Sequence, residues 1–184
     1  MAHIRVWTKQ HRSVRETLAR DGVYYAKRAY VALDLEEHAP LVLPVYDWLA
    51  EHMPADHRPA RADYPVWVSL QREATMLPGP DSVILELTLD PALITHINIA
   101  KWGAMLNYSY LPRDAADCRR HRALLADLGI SDVKAFITPF YPEVKREILD
   151  SWQRLFDDTV QLGNDLSYGT IWEVRSEWVT NLLS

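Results

Sequence analysis

The stretch "SVILELTL", residues 82–89, decides the fold, because apolar side chains alternate along it from Val83 to Leu89. Alternation with a period of two predicts a β-strand that buries one face. The stretch "YPVWVSL", residues 64–70, alternates in the same way and predicts a second strand. Glu86 interrupts the first strand, and its carboxylate faces either solvent, which we favour, or a cleft.

Toward the N-terminus, "HIRVW" at residues 3–7 predicts a short strand. Ser13 and Glu16, three residues apart, form a capping-box pattern that predicts the start of a helix. Gly22 suits the position just after the end of that helix, where a left-handed backbone conformation is common.

The remaining elements follow from residue spacing and from glycine and proline positions. They are a strand in "VYYAKRAYV" (23–31), a helix in "PVYDWLAEHM" (44–53), short helical turns between Pro91 and Asn107, helices at 114–128 and from Pro142, and a C-terminal strand in "YGTIWEVRSEWVTNLL" (168–183). A helix is the alternative for the last segment, but its β-branched residues favour the strand. Because helices and strands mix without regular alternation, we predict an α+β fold: one domain over residues 1–184, with a mostly antiparallel sheet and flanking helices.

Composition excludes several classes of protein. A formal net charge of −5 argues against general nucleic-acid binding, which needs clustered Lys and Arg. We interpret the basic cluster at residues 113–122, in which aspartates are interspersed, as a solvated helix face. The apolar runs are far shorter than the ~20 residues that cross a bilayer, and the N-terminus lacks an apolar block, so we expect a cytoplasmic protein without membrane contact.

Metal and redox chemistry find little support in the sequence. The single cysteine, Cys118, excludes an intrachain disulfide and a thiolate-rich zinc site. The histidines lack the spacing of metal ligands, so we predict no metal site. No phosphate loop, nucleophile elbow or zinc-protease motif is present in the sequence.

Aromatic side chains with a polar end are unusually frequent: 7 Trp and 9 Tyr stand against 3 Phe. Such rings suit an amphipathic cleft, and they also suit the edge of a core. Thr8 and Gln10 are predicted to lie where a strand ends and a helix begins, a place where free backbone N–H groups receive an anionic ligand. Helix capping is the alternative for this polar segment, and geometry alone favours it.

The carboxylates near the C-terminus are candidates for general acid or base chemistry. Glu173 and Glu177 share the polar face of the last segment with Arg175. Ion pairing with Arg175 is the simpler interpretation.

Seven stretches in order resemble a known bacterial family: "VWTKQ", "YDWLAEHM", "YPVWV", "VILELTL", "KWGAMLNYSYLP", "EILDSWQRLFD" and "TIWEVRSEWV". The family is domain of unknown function three-eight-four-one, and the resemblance covers nearly the whole chain. This sequence departs from the family pattern after Trp67, where "SLQREATMLPGPD" stands in place of a basic loop. The positions that match the family pattern are Trp7, Thr8, Gln10, Tyr64, Trp67, Trp102, Asn107, Tyr110, Ser151, Trp152, Trp172, Glu177 and Trp178.

A more distant resemblance is to ADP-ribosyltransferase-type folds, in which a carboxylate on a late strand assists the loss of nicotinamide. It implies a nucleotide- or NAD-using transferase with an aromatic, polar-rimmed cleft and Glu177 as the catalytic carboxylate. NAD is then the candidate cofactor. The residues implied to bind the ligand are Trp7, Thr8, Gln10, Trp67, Asn107 and Tyr110.

Two other functions fit the same composition. A noncatalytic protein- or ligand-binding module would use the Trp and Tyr side chains as anchors for a partner. A ligand-sequestering protein would have a pocket that contains no carboxylate positioned for catalysis. A deep pocket would favour an enzyme, whereas a flat aromatic patch would favour a partner surface.

Overall fold

The computed structural model describes residues 3–183 and confirms the α+β fold. The strands are β1 (Ile4–His11), β2 (Val23–Tyr24), β3 (Val66–Val68), β4 (Ser82–Leu89), β5 (Thr95–Asn98), β6 (Ser167–Ile171), β7 (Val174–Arg175) and β8 (Val179–Leu183). The helices are α1 (Ser13–Asp21), α2 (Arg28–Leu35), α3 (Ala39–His52), α4 (Ile99–Leu106), α5 (Ala115–Leu128), α6 (Asp132–Ile137) and α7 (Pro142–Ser151). None of the described helices is long and apolar enough to cross a membrane.

The chain divides into two compact units. The first contains the chain up to His96 and again from Tyr168, and the second is Ile97–Ser167. The prediction of a single domain is not decided by this division and stays a prediction.

The first unit contains the sheet predicted from "SVILELTL". Strand β4 lies between β1 and β8, antiparallel to both. Its alternate residues Leu85, Leu87 and Leu89 are buried, as the pattern predicts. Pairing with β1 runs without interruption from Ile4 opposite Leu89 to His11 opposite Ser82.

The pairing corrects the prediction for the N-terminal strand. We predicted a strand at 3–7 followed by a polar turn, but β1 continues to His11. Thr8 and Gln10 therefore lie inside a strand, opposite Leu85 and Val83, and not at a strand–helix junction. The full length of β4 supplies hydrogen-bonding partners for these polar residues, and this pairing outweighs their local preference for a turn.

Helix α1 ends as predicted and begins differently. Gly22 has φ 73°, a left-handed conformation, and its N–H donates to the carbonyl of Leu18. The predicted capping box is wrong, because the helix begins at Ser13 itself and no side chain caps it. The Ser13 hydroxyl lies 2.8 Å from Nδ1 of His11 instead.

A second sheet has the order β3-β6-β5, and β2 pairs with β7. Strand β3 is shorter than the predicted 64–70, because Pro65 has no N–H to donate to a ladder. Gly169 in β6 is required by close packing: a Cβ there would lie 2.7 Å from Ile94 Cγ2 and 2.8 Å from Val68 Cγ2.

The predicted strand at 23–31 is mostly wrong. Only Val23–Tyr24 forms a strand, and α2 begins at Arg28. The carboxylate of Asp63 accepts a hydrogen bond from the backbone N–H of Arg28 at 3.0 Å and so satisfies a free donor at the helix start. This contact comes from a distant part of the chain, and it overrides the β-branched and aromatic composition of the segment.

The predicted C-terminal strand is divided. Strands β6, β7 and β8 are separated by a bend and by a 3-10 turn, Ser176–Trp178. Glu177 therefore lies in a turn and not in a strand.

The second unit contains α4 to α7. As predicted, α5 starts after Asp114, whose side chain accepts from the N–H of Asp117, and ends at Gly129, which has φ 63°. The helix predicted from Pro142 is confirmed as α7, with Val144 and Ile148 buried. Helix α6 was not predicted, although Ser131 caps it by accepting from the N–H of Lys134.

Candidate functional site

Strands β1 and β3 meet at one point and then belong to different sheets. The backbone N–H of Trp7 donates to the Ser69 carbonyl at 3.0 Å, and the N–H of Ser69 donates back at 2.7 Å. Beyond this bridge β1 pairs with β4, and β3 pairs with β6. Within the described residues no further backbone ladder joins these two edges, and Gln10 lies on β1 beyond the bridge.

Thr8 and Gln10 form a short hydrogen-bonded chain beyond this bridge. The hydroxyl of Thr8, which is buried, donates to the Trp67 carbonyl at 2.7 Å and accepts from Nε2 of Gln10 at 2.8 Å. Gln10 is half-buried, and its Oε1 accepts no hydrogen bond from the described residues. Three predicted site residues thus lie together, with a carbonyl acceptor available beyond the bridge.

Trp67 joins this group through its backbone carbonyl, and its ring lies on the other face, because Trp7 pairs with Ser69 and alternate residues of a strand share a face. It is half-buried and contacts Tyr168 edge-on, with ring centroids 6.4 Å apart. Burial raises the pKa of Tyr46, although a side-chain hydrogen bond with Trp67 opposes that rise. Tyr46 in turn meets Tyr64 edge-on at 5.5 Å. Aromatic side chains therefore follow one another from the opening to Tyr64, and we name Thr8, Gln10, Trp67 and Tyr168 the sheet opening.

Trp7 lies on the other face of β1. It pairs with Glu86, whereas Thr8 pairs with Leu85, and neighbouring residues of a strand point to opposite faces. The Glu86 side chain is 16% exposed and lies 3.6 Å from Arg5. Glu86 is thus more buried than we favoured and faces an arginine, and Trp7 does not share a face with Thr8 and Gln10.

Glu177 is separated from the sheet opening by a strand. It precedes β8, which pairs with β4, and β4 lies between β8 and β1. Its side chain is 70% exposed and lies 3.8 Å from Arg175, which also donates to Glu173 at 2.7 Å. The predicted pairing of both glutamates with Arg175 is confirmed.

The second unit holds Tyr110, whose hydroxyl donates to the buried carboxylate of Asp117 at 2.9 Å. Arg120 and Arg154 also donate to this carboxylate, at 3.1 and 3.2 Å. Burial acts to raise the pKa of Asp117, but hydrogen bonds from the Arg113 backbone, Tyr110 and Arg120 outweigh it and lower the pKa to about 2. Asp117 is therefore an ionised carboxylate held inside the unit.

The basic side chains of residues 113–122 are exposed as we interpreted them, with the exception of His121. It is 3% exposed, with Nε2 2.7 Å from Asp132 and Nδ1 3.2 Å from Glu147, and its ring stacks on Tyr110 at 4.0 Å. Burial acts to lower the pKa of His121, but Asp132 and Glu147 outweigh it and raise the pKa. The side chain points inward because partners on α6 and α7, invisible to a pattern within α5, compensate its charge.

Asn107 is exposed at the end of α4 and donates to the carbonyl of Gly103 at 2.8 Å. Tyr110 is buried and contacts Asp117 and His121. Asn107 and Tyr110 belong to the second unit, and their predicted ligand contacts stay predictions. Sequence analysis missed Asp117 and His121, although a polar residue three positions after the Asp114 cap is the signal that marks Asp117.

Within residues 3–183, no group of three or more His, Cys, Asp and Glu side chains is arranged to hold a metal ion.

The family described as domain of unknown function (DUF3841) matches residues 5–180. The chain belongs to this family. The resemblance drawn from the seven stretches is confirmed, whereas the likeness to ADP-ribosyltransferase-type folds and the bacterial origin stay predictions. No curated protein and no solved structure matches the chain significantly. Because the family description assigns no reaction, the function has to be argued from this chain's own geometry.

Proposed function

We propose that this chain is a cytoplasmic transferase that uses a nucleotide ligand, with NAD as the first candidate, and that the ligand binds at the sheet opening. The proposal rests on one observation: beyond the Trp7–Ser69 bridge, no backbone ladder among the described residues joins β1 and β3 beside Gln10. Separated edges carry backbone N–H and C=O groups that a ligand can satisfy.

The residues at the opening suit a planar, polar ring. The half-buried Trp67 indole is the side chain on which we propose that a base stacks, and such stacking contributes about 1–3 kcal/mol. The Oε1 of Gln10 is an acceptor for the amide N–H₂ of nicotinamide or the amino group of adenine. The hydrogen bond from Gln10 to Thr8 holds the carboxamide in place, which reduces the entropy lost on binding.

In the reaction we propose, the bond between the nicotinamide nitrogen and ribose C1′ breaks. Nicotinamide leaves with the bonding electron pair, and an acceptor nucleophile or water forms the new bond to C1′ and releases its proton. Glu177 is the proposed carboxylate that stabilises the positive charge developing on the ribose. Because β4 lies between β8 and β1, this role requires the adenine end of NAD at Gln10, with the nicotinamide end extending across β4 to Glu177, whose side chain is 70% exposed.

The test is nicotinamide release from NAD by the wild type and by Glu177→Gln. We expect the substitution to abolish release while NAD binding and the thermal midpoint stay close to wild type. Glu173→Gln is the matched control, since Glu173 pairs with the same arginine and has no proposed role. Release that persists in Glu177→Gln would remove Glu177 from the mechanism.

A noncatalytic protein-binding module is the second candidate. The observation in its favour is a group of exposed apolar side chains in the second unit: Ile137 is 60% exposed and Phe140 is 76% exposed. Exposed apolar patches often mark partner surfaces. If no nucleotide is bound or turned over, and Phe140→Ser abolishes capture of a binding partner, this second function replaces the first.

A further inference from the structure

The first unit has an open polar cleft of about 400 Å³. Its lining residues are Arg28, Asp47, Ala50, Glu51, Arg58, Asp63 and Tyr64. A volume of this size falls within the range of small-molecule sites. None of these residues belongs to the sheet opening, so the cleft is a separate candidate site.

Part of the charge in the cleft is already neutralised. Nε of Arg28 lies 3.2 Å from Asp47, which also accepts a hydrogen bond from the Tyr64 hydroxyl. Burial acts to raise the pKa of Asp47, but the hydrogen bonds from Arg28 and Tyr64 outweigh it and hold the pKa below its usual value. Asp63 accepts from the backbone N–H of Arg28 and lies 3.6 Å from Lys27. The charge of Asp47 is therefore balanced by Arg28, and the charge of Asp63 is balanced by Lys27.

Two further charges in the lining have no ionic partner among the described residues. Arg58, which is exposed, donates to the carbonyls of Ala50 at 2.6 Å, Ala62 at 3.4 Å and Asp63 at 3.3 Å, and it lies over the Trp172 ring at 4.6 Å, so its contacts within the protein are with neutral groups. Glu51 lies one helical turn after Asp47 on α3, is exposed, and makes no hydrogen bond or ion pair with the described residues. The cleft therefore presents one positive and one negative charge that its own residues do not compensate.

We propose that this cleft binds a free α-amino acid. The carboxylate of the amino acid would pair with the guanidinium of Arg58, and its ammonium group would pair with Glu51. Its side chain would lie against Ala50 and the Tyr64 ring. The proposal is independent of the nucleotide function at the sheet opening.

Charge selects this ligand class over simpler ones. A ligand carrying only negative charge would place it near Asp47, Glu51 and Asp63, whereas a ligand carrying only positive charge would leave Arg58 unmatched. A zwitterion satisfies both uncompensated groups. When a ligand binds, it removes the charged groups of the cleft from water, and each of these groups then needs an opposite charge on the ligand.

The test is calorimetric titration of the full chain with each of the standard amino acids at millimolar concentration. For the amino acid that binds best, the N-acetyl and carboxamide derivatives are then titrated. We expect saturable binding of at least one amino acid and at least a tenfold loss of affinity for both derivatives, because each lacks one of the two charges.

Variants locate the site. Glu51→Gln should weaken binding at least tenfold. It should leave the thermal midpoint of the ligand-free protein unchanged, because Glu51 makes no hydrogen bond or ion pair with the described residues. Glu73→Gln, an exposed glutamate of the same unit outside the cleft, is the matched control and should bind like wild type. The proposal is overturned if no amino acid binds, if either derivative binds as tightly as the free amino acid, or if Glu51→Gln leaves the affinity unchanged. Loss of nucleotide binding has no bearing on these outcomes.

Discussion

At the scale of single residues, Asp117 shows how a buried charge is held. Its carboxylate accepts from Tyr110, Arg120 and Arg154 and from the backbone of Arg113. We expect Asp117→Asn to lower the free energy of unfolding by about 3–5 kcal/mol, because Arg154 and the Arg113 N–H lose their ionised acceptor, although Arg120 keeps its pair with Glu147. Urea denaturation measures this change. The exposed Asp127→Asn on the same helix is the control, and equal effects of the two substitutions would contradict the assigned role.

His121 makes stability depend on pH. Its carboxylate partners Asp132 and Glu147 raise the pKa of His121 above the unfolded value of about 6.5. Because the folded pKa is the higher one, the stabilisation is fully present below the unfolded pKa and is lost as pH rises through the folded pKa. We expect His121→Gln to remove this fall in unfolding free energy, which begins near the unfolded pKa of about 6.5 and is complete once the pH exceeds the raised folded pKa. The control is His57→Gln, which changes an exposed histidine. If the pH dependence of His121→Gln equals that of the wild type, His121 is not the source of the fall in stability.

At the scale of elements, we expect Gly→Ala substitutions at two positions to change the stability of the fold in opposite directions. Gly169→Ala in β6 would place a methyl group against Ile94 and Val68 and should destabilise the fold by about 1–3 kcal/mol. Gly103→Ala in α4 meets no atom within 4 Å and should stabilise it by about 0.5–1 kcal/mol, because alanine favours the helix. Thermal denaturation of both variants gives the signs. A stabilising Gly169→Ala would show that the sheet packs less tightly there than described.

Elements that depend on local signals could be predicted from the sequence. The alternation of β4 and the flanking Asp114 and Gly129 of α5 act within a few residues of the structure they specify. Helix α2 and the inward direction of His121 depend on contacts with distant residues, which periodicity does not contain. For the same reason, the sequence placed Thr8 and Gln10 beside a helix, whereas pairing with β4 places them in a strand.

At the scale of the whole molecule, the single-domain prediction has a direct test. The boundaries between the two units fall inside β5 and at the start of β6, which belong to one sheet. We therefore expect both units to unfold in one transition. Hydrogen exchange followed through increasing urea should show residues 97–167 losing protection together with the rest of the chain. Earlier loss of protection in 97–167 would establish two domains.

The candidate site was predictable in part. The sequence singled out Thr8, Gln10 and Trp67, and the structure brings these three together at the sheet opening. The cleft around Glu51 and Arg58 could not be predicted, because its walls come from a helix and a loop whose approach depends on tertiary packing.

Nucleotide binding at the sheet opening is the claim on which the proposed function depends. Calorimetric titration of the full chain with NAD tests it most directly, using Gln10→Met and the control Gln153→Met, an exposed glutamine of the second unit. We predict saturable binding by wild type and by Gln153→Met, and affinity at least tenfold weaker for Gln10→Met. Absence of NAD binding by the wild type, or equal affinity of all three proteins, would contradict the proposed site.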